Sequence, residues 1–155
     1  MDCTLFLVSD MDKEVLKRTI YDIVSDTVED KVTRYEDFSR LSCKYFTLDI
    51  ETEDIINVDF IREEYKMEIN VYNGIQLFEK LFEEGLEVLF GIFGNILWAF
   101  NPDSVFVENG TDQIFRKEDA SIIINTKLDQ YQRKYLSNHL ITLLRYPYIF
   151  KELPN

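Results

Sequence analysis

The chain has 155 residues, 46% of them hydrophobic and 14% aromatic, which suits one folded domain, residues 1–155, with a packed core. Its 29 acidic residues against 17 basic ones give a net charge of −12. That balance disfavours nucleic-acid backbones and anionic membranes, which are bound through Lys and Arg. The same field speeds encounter with a basic protein, although solubility alone is an equally good reason for it.

Residues 4–9 form a short apolar run that ends at Ser9-Asp10, and they read as a first strand. No basic region precedes this run and it is too short for a signal peptide, so the cytoplasm is the expected compartment. Cys3 and Cys43 lie far apart with no C-x-x-C, and buried free thiols are expected. In KEVLKRTIYDIVSD, Leu16, Ile20 and Ile23 recur at helical spacing, and Asp10 and Asp12 stand where an N-cap belongs. Two carboxylates at that spacing also suit a divalent cation, but capping is the commoner use and no metal is expected.

Residues 28–42 are polar and read as a loop with a short strand near 32–35. KYFTLDIE and EYKMEINVY, residues 44–51 and 64–72, alternate apolar and polar side chains, the period of strands with one wet face. Asn73-Gly74 reads as a turn opening a long helix from Ile75 to Phe100. The uncharged part of that helix, residues 88–100, is too short for a membrane span, which takes about 20 apolar residues. Gly85, Gly91 and Gly94 predict either a break or a close backbone approach, and Trp98 is expected in the core before any pocket.

Pro102 ends the helix. SVFVENG, QIFRKED and SIIIN then read as a three-strand meander with a hairpin at Asn109-Gly110. Residues 128–144 keep helical spacing, His139 among them, and stop before Pro147. The predicted fold class is α+β: a mostly antiparallel sheet with helices packed mainly on one face, a two-layer sandwich.

Dedicated chemistry is hard to place. The single histidine has no nucleophile assigned beside it, the Cys and His spacing of a metal site is missing, and no phosphate loop or nucleophile elbow is present. The expectation is a non-enzymatic protein without a cofactor. The acids Asp49, Glu51, Glu53, Asp54, Asp59, Glu63, Glu64 and Glu68 face only two bases within residues 49–68, beside the apolar Ile55, Ile56, Val58 and Phe60. A surface of that composition suits a basic protein groove, and the first seven acids are the predicted partner-binding residues. The competing reading packs residues 55–61 on the core.

From 86 to 127 the order is an apolar helix, Asn-Pro-Asp103, a strand, Asn109-Gly110, a strand with Arg116-Lys117, a turn, and Ile122-Ile123-Ile124-Asn125. This resembles the C-terminal half of the small immunity proteins encoded beside bacterial polymorphic toxins, contact-dependent or secreted. The turn at Glu118-Asp119-Ala120 departs from that pattern in lacking a glycine. The resemblance implies an acidic cytoplasmic protein that binds and neutralises one cognate toxin domain, and a nuclease is a natural target because its phosphate groove is electropositive. It transfers no toxin-binding residue. Two other function classes stay open. One is a small-molecule site or small enzyme lined by Tyr72, Phe90, Phe93, Trp98 and Phe100; the other is an adaptor whose apolar helix pairs with another copy.

Overall fold

The computed structural model describes residues 1–109 and 112–154. One nine-stranded sheet runs through it. In chain order its strands are β1 (Asp2–Val8), β2 (Thr33–Arg34), β3 (Arg40–Ser42), β4 (Phe46–Glu51), β5 (Val71–Leu77), β6 (Asp103–Glu108), β7 (Asp112–Glu118), β8 (Ser121–Asn125) and β9 (Tyr148–Lys151). They lie side by side as β2-β3-β4-β5-β1-β6-β7-β8-β9, and each pairing is antiparallel except β8 with β9. The helices are α1 (Lys13–Val28), α2 (Val58–Tyr65), α3 (Phe82–Phe100), a 3-10 turn (Gln132–Leu136) and α4 (Asn138–Leu143). The fold is α+β as predicted.

The apolar run of β1 follows from its central place. Cys3, Leu5 and Leu7 enter the main core on the helix side, whereas Phe6 joins a smaller core on the other side with Tyr65, Met67, Ile69, Val105 and Val107. A strand covered on both faces has no reason to alternate. Asp12 caps α1 by accepting the Val15 N–H, and Leu16, Ile20, Val24 and Val28 bury one stripe at four-residue spacing. Against it lies α3, with nine buried residues from Gly85 to Leu97. It stops at Asn101, left-handed at φ 49°, whose N–H returns to the Leu97 carbonyl ahead of Pro102. Phe90, Phe93, Phe106, Phe115 and Tyr135 interlock beneath it.

Several local expectations change. Residues 58–65 form α2, so only the end of EYKMEINVY is strand. Asn73-Gly74 lies in the middle of β5, hydrogen-bonded on both sides, and is no turn. Pairing with β1 and β4 overrides local turn preference, and the Asn73 amide donates to the Leu5 carbonyl within the core. Gly74 leaves room for the Tyr72 ring, from which a Cβ there would stand 2.8 Å. Consequently α3 begins at Phe82 rather than at Ile75. Ser137, extended at ψ 142°, divides the last predicted helix and caps α4 through the Leu140 N–H. The strand β9 after it was not predicted.

Among the three glycines, Gly94 marks the close approach: a Cβ there would lie 1.9 Å from the Leu143 carbonyl oxygen of α4. The helix does not break. Trp98 corrects its prediction outright, with 65% of its surface exposed and its ring edge-on to Tyr146. Of the Asn109-Gly110 hairpin, Asn109 is left-handed at φ 54° and Gly110 lies outside the described residues.

Candidate functional site

Asp49, Glu51 and the acids of α2 belong to the side of the sheet away from α3, whereas Glu53 meets Lys13 of α1. Asp49 and Glu51 belong to the alternation of β4 opposite to buried Leu48 and Ile50, so they project from the open face. Glu53 and Asp54 follow in the connection to α2, which carries Asp59, Glu63 and Glu64. Because α2 packs over the smaller core through Tyr65 and Ile61, its remaining surface faces solvent.

That surface is where Ile56 and Phe60 sit, 78% and 67% exposed. The competing reading, in which residues 55–61 pack on the core, holds for Ile61, which packs against the smaller core, while Ile55 and Val58 are half-buried without joining either core. Three of the seven acids are paired: Glu53 with Lys13 at 2.8 Å, Asp49 with Arg40 at 2.5 Å, and Asp59 with Arg62 at 3.8 Å. The Lys13 hydrogen bond holds the Glu53 carboxyl below its usual range. Glu51, Asp54, Glu63 and Glu64 have no cation within 4.0 Å among the described residues, and neither has Glu68. Two apolar side chains thus rise from a ledge of uncompensated carboxylates.

The ledge is held from below. The Arg116 guanidinium, on β7, donates to the carbonyls of Tyr65 and Lys66 at the end of α2 while pairing with Glu118. A cation at a helix C-terminus satisfies carbonyls that the helix itself leaves unpaired. Sequence reasoning placed Arg116 in a structural motif and had no signal for this reach, because the contact spans about fifty positions. Beside the ledge the open sheet face forms a shallow hollow of about 530 Å³ lined by Asp2, Thr4, Thr47, Asp49, Tyr72 and Gln76. Its floor is polar and adjoins Asp49, which extends the surface a partner would meet.

The aromatic pocket does not form. Phe90 and Phe93 are fully packed in the main core, Trp98 is exposed, and Tyr72 lies on the opposite side of the sheet against Phe6. His139 is an exposed helix residue 3.0 Å from Glu87. Both cysteines are free, and burial pushes the Cys3 thiol up to about 12. Among the described residues no group of three His, Cys, Asp or Glu side chains converges to hold a metal, and no helix is long and apolar enough to cross a membrane. No family model, curated protein or solved structure matches the chain.

Proposed function

We propose that the protein is a non-enzymatic, immunity-type inhibitor that binds a basic toxin domain, a nuclease being the natural case, through the acidic ledge of β4 and α2. The observation that carries the proposal is the exposure of Ile56 and Phe60 among unpaired carboxylates. Exposed apolar anchors ringed by charge are the composition of an interface core and rim, and an isolated solubilising surface has no use for them. Carboxylates around the anchors steer a basic groove toward them and align it, while the apolar side chains lose water on contact and slow dissociation. Inhibition then follows from occlusion of the groove.

The test is binding to any toxin-like domain found encoded beside this chain, measured by stopped-flow mixing and calorimetry across salt concentrations. Reversing Glu51, Asp54 and Glu63 to Lys should slow association by about tenfold or more and flatten its salt dependence. Phe60→Ala should raise Kd at least about tenfold, as loss of a central anchor does, and leave folding stability within about 0.5 kcal/mol because the ring is exposed. Unchanged binding in both variants would refute the proposed face.

A further inference from the structure

The register of the sheet maps its open face residue by residue. Along β1 the side chains on that face are Phe6, Thr4 and Asp2, because Cys3, Leu5 and Leu7 enter the main core. The smaller core under α2 holds Phe6 and ends at Val107, the partner of Thr4 on β6. Beyond it the face is uncovered. Gly74 pairs with Thr4 on one side and with Asp49 on the other, and Gln76 pairs with Asp2 and with Thr47. These residues form one patch across β1, β5 and β4 with a glycine at its centre. The side chain missing at Gly74 is what opens the hollow of about 530 Å³. Into it leans the Tyr72 hydroxyl, 2.8 Å from where a Gly74 Cβ would stand.

The polar groups of the hollow are left free. Thr4 is only 8% exposed and lines the hollow, yet its hydroxyl has no hydrogen-bond partner among the described residues. The side chains of Thr47, Tyr72 and Gln76 also make no hydrogen bond among the described residues. A polar group buried as deeply as Thr4 is ordinarily hydrogen-bonded, so its freedom points to a group received from outside.

Charge selects that group. The lining carries two carboxylates, Asp2 and Asp49, and no lysine or arginine. Asp49 is engaged by Arg40 of β3, whereas Asp2 has no cation within 4.0 Å among the described residues. An anion is repelled here, and the hydroxyls and carboxamides around the carboxylates can all turn to accept. A guanidinium brings five N–H donors and no acceptor, and its plane suits the Tyr72 ring. Arg40 shows the chemistry nearby: its Nε and one Nη donate to the two oxygens of Asp49 at 2.5 and 3.3 Å. The compact ammonium of a lysine fits less well, because Asp2 and Asp49 stand two strands apart, about 10 Å across the sheet.

We infer that the hollow is a pocket for one arginine side chain of a partner protein, its guanidinium lying over Gly74 and donating to the Asp2 carboxylate and the hydroxyls of Thr4 and Tyr72. The inference rests on the proposed function for the source of that arginine. Asp49 lines the hollow and belongs to the ledge, so a basic protein seated on the ledge meets the hollow beside it. A planar fork held at fixed acceptors supplies the orientation that scattered surface carboxylates lack.

The test needs no toxin. N-acetylarginine amide, followed by amide NMR shifts, should bind saturably with a Kd on the order of 1 to 10 mM and shifts centred on residues 2–4, 47–49 and 72–76. N-acetyllysine amide should bind at least about threefold more weakly, and the neutral N-acetylcitrulline amide at least about tenfold. Asp2→Asn and Thr4→Val should each weaken the arginine probe at least about threefold. Gln76→Lys, at an exposed position that leaves the fold intact, should weaken it at least about tenfold. Phe60→Ala, on α2, should leave the titration unchanged. No saturable shift up to about 50 mM, an equal response to the citrulline probe, or binding indifferent to Asp2→Asn and Gln76→Lys would overturn the inference. Hollow and ledge fail separately: arginine binding in a chain that binds no toxin domain removes the ledge reading alone, and toxin binding unaltered by Gln76→Lys removes this one alone.

Discussion

Two glycines three positions apart on α3 should respond to alanine with opposite signs. In a helix interior alanine is preferred over glycine by about 1 kcal/mol. At Gly91 the new Cβ would meet only Thr27 Cγ2, at 3.5 Å, an ordinary contact, so Gly91→Ala should gain about 0.5 to 1 kcal/mol. At Gly94 the Cβ would stand 1.9 Å from the Leu143 carbonyl oxygen, 3.0 Å from its carbon and 3.3 Å from Leu144 Cα. Those are backbone atoms and cannot rotate away, so α4 must shift by more than about 1 Å, disturbing the packing of Leu140, Ile141 and Leu144. Overpacking of this kind costs about 1 to 3 kcal/mol, and a contact with backbone at 1.9 Å takes the upper end, which less the propensity gain leaves a net loss of about 2 kcal/mol. Urea denaturation with a shared m value measures both variants. At this chain length the corresponding change in Tm is a fall of about 4 to 8 °C for Gly94→Ala and a rise of about 1 to 4 °C for Gly91→Ala. Equal stability of the two variants would refute the close crossing of α3 and α4.

Two further perturbations test the core and the support of the ledge. Burial, then the neighbouring Glu108, raises the Cys3 thiol from 9.0 to about 12, so between those values the folded chain keeps a proton that the unfolded chain has released. Stability contributed by Cys3 is whole below pH 9 and is lost as pH rises toward 12. Cys3→Ala should cost about 1 kcal/mol near neutral pH, and its gap to wild type should close above pH 9; a gap that stays constant in urea titrations up to about pH 10.5 contradicts this. Arg116→Ala should cost about 1.5 to 3 kcal/mol and lower amide protection across α2, because two carbonyls at its end lose their donor. Arg116→Lys should not restore it, since one ammonium cannot span Tyr65, Lys66 and Glu118 together. Unaltered exchange in α2 would show that the helix is held by its apolar contacts alone.

Periodicity carried most of the fold. Helical spacing from Leu16 to Val24 and from Leu86 to Leu97, and alternation in β4, state which face is buried, since each element has one apolar side to hide. The acidity of residues 49–68 and the apolar Ile56 and Phe60 among them were equally plain in the sequence. What tertiary structure decided is where local preference and long-range pairing disagree. Asn73-Gly74 has the residues of a turn, yet it is strand because β1 and β4 claim its backbone from both sides. Residues 64–72 alternate like a strand, yet Glu64 and Tyr65 end a helix whose Ile61 and Tyr65 cover Phe6, Val105 and Val107. Trp98, set in an apolar run, stays at the surface because the α3 stripe that meets the sheet is formed by Phe90, Phe93 and Leu97 and leaves no room for it. The exposure of Phe60 belongs to the same class. Whether an apolar residue is core or contact depends on which neighbours reach it first, and that is a property of the folded arrangement and not of the residue or its spacing.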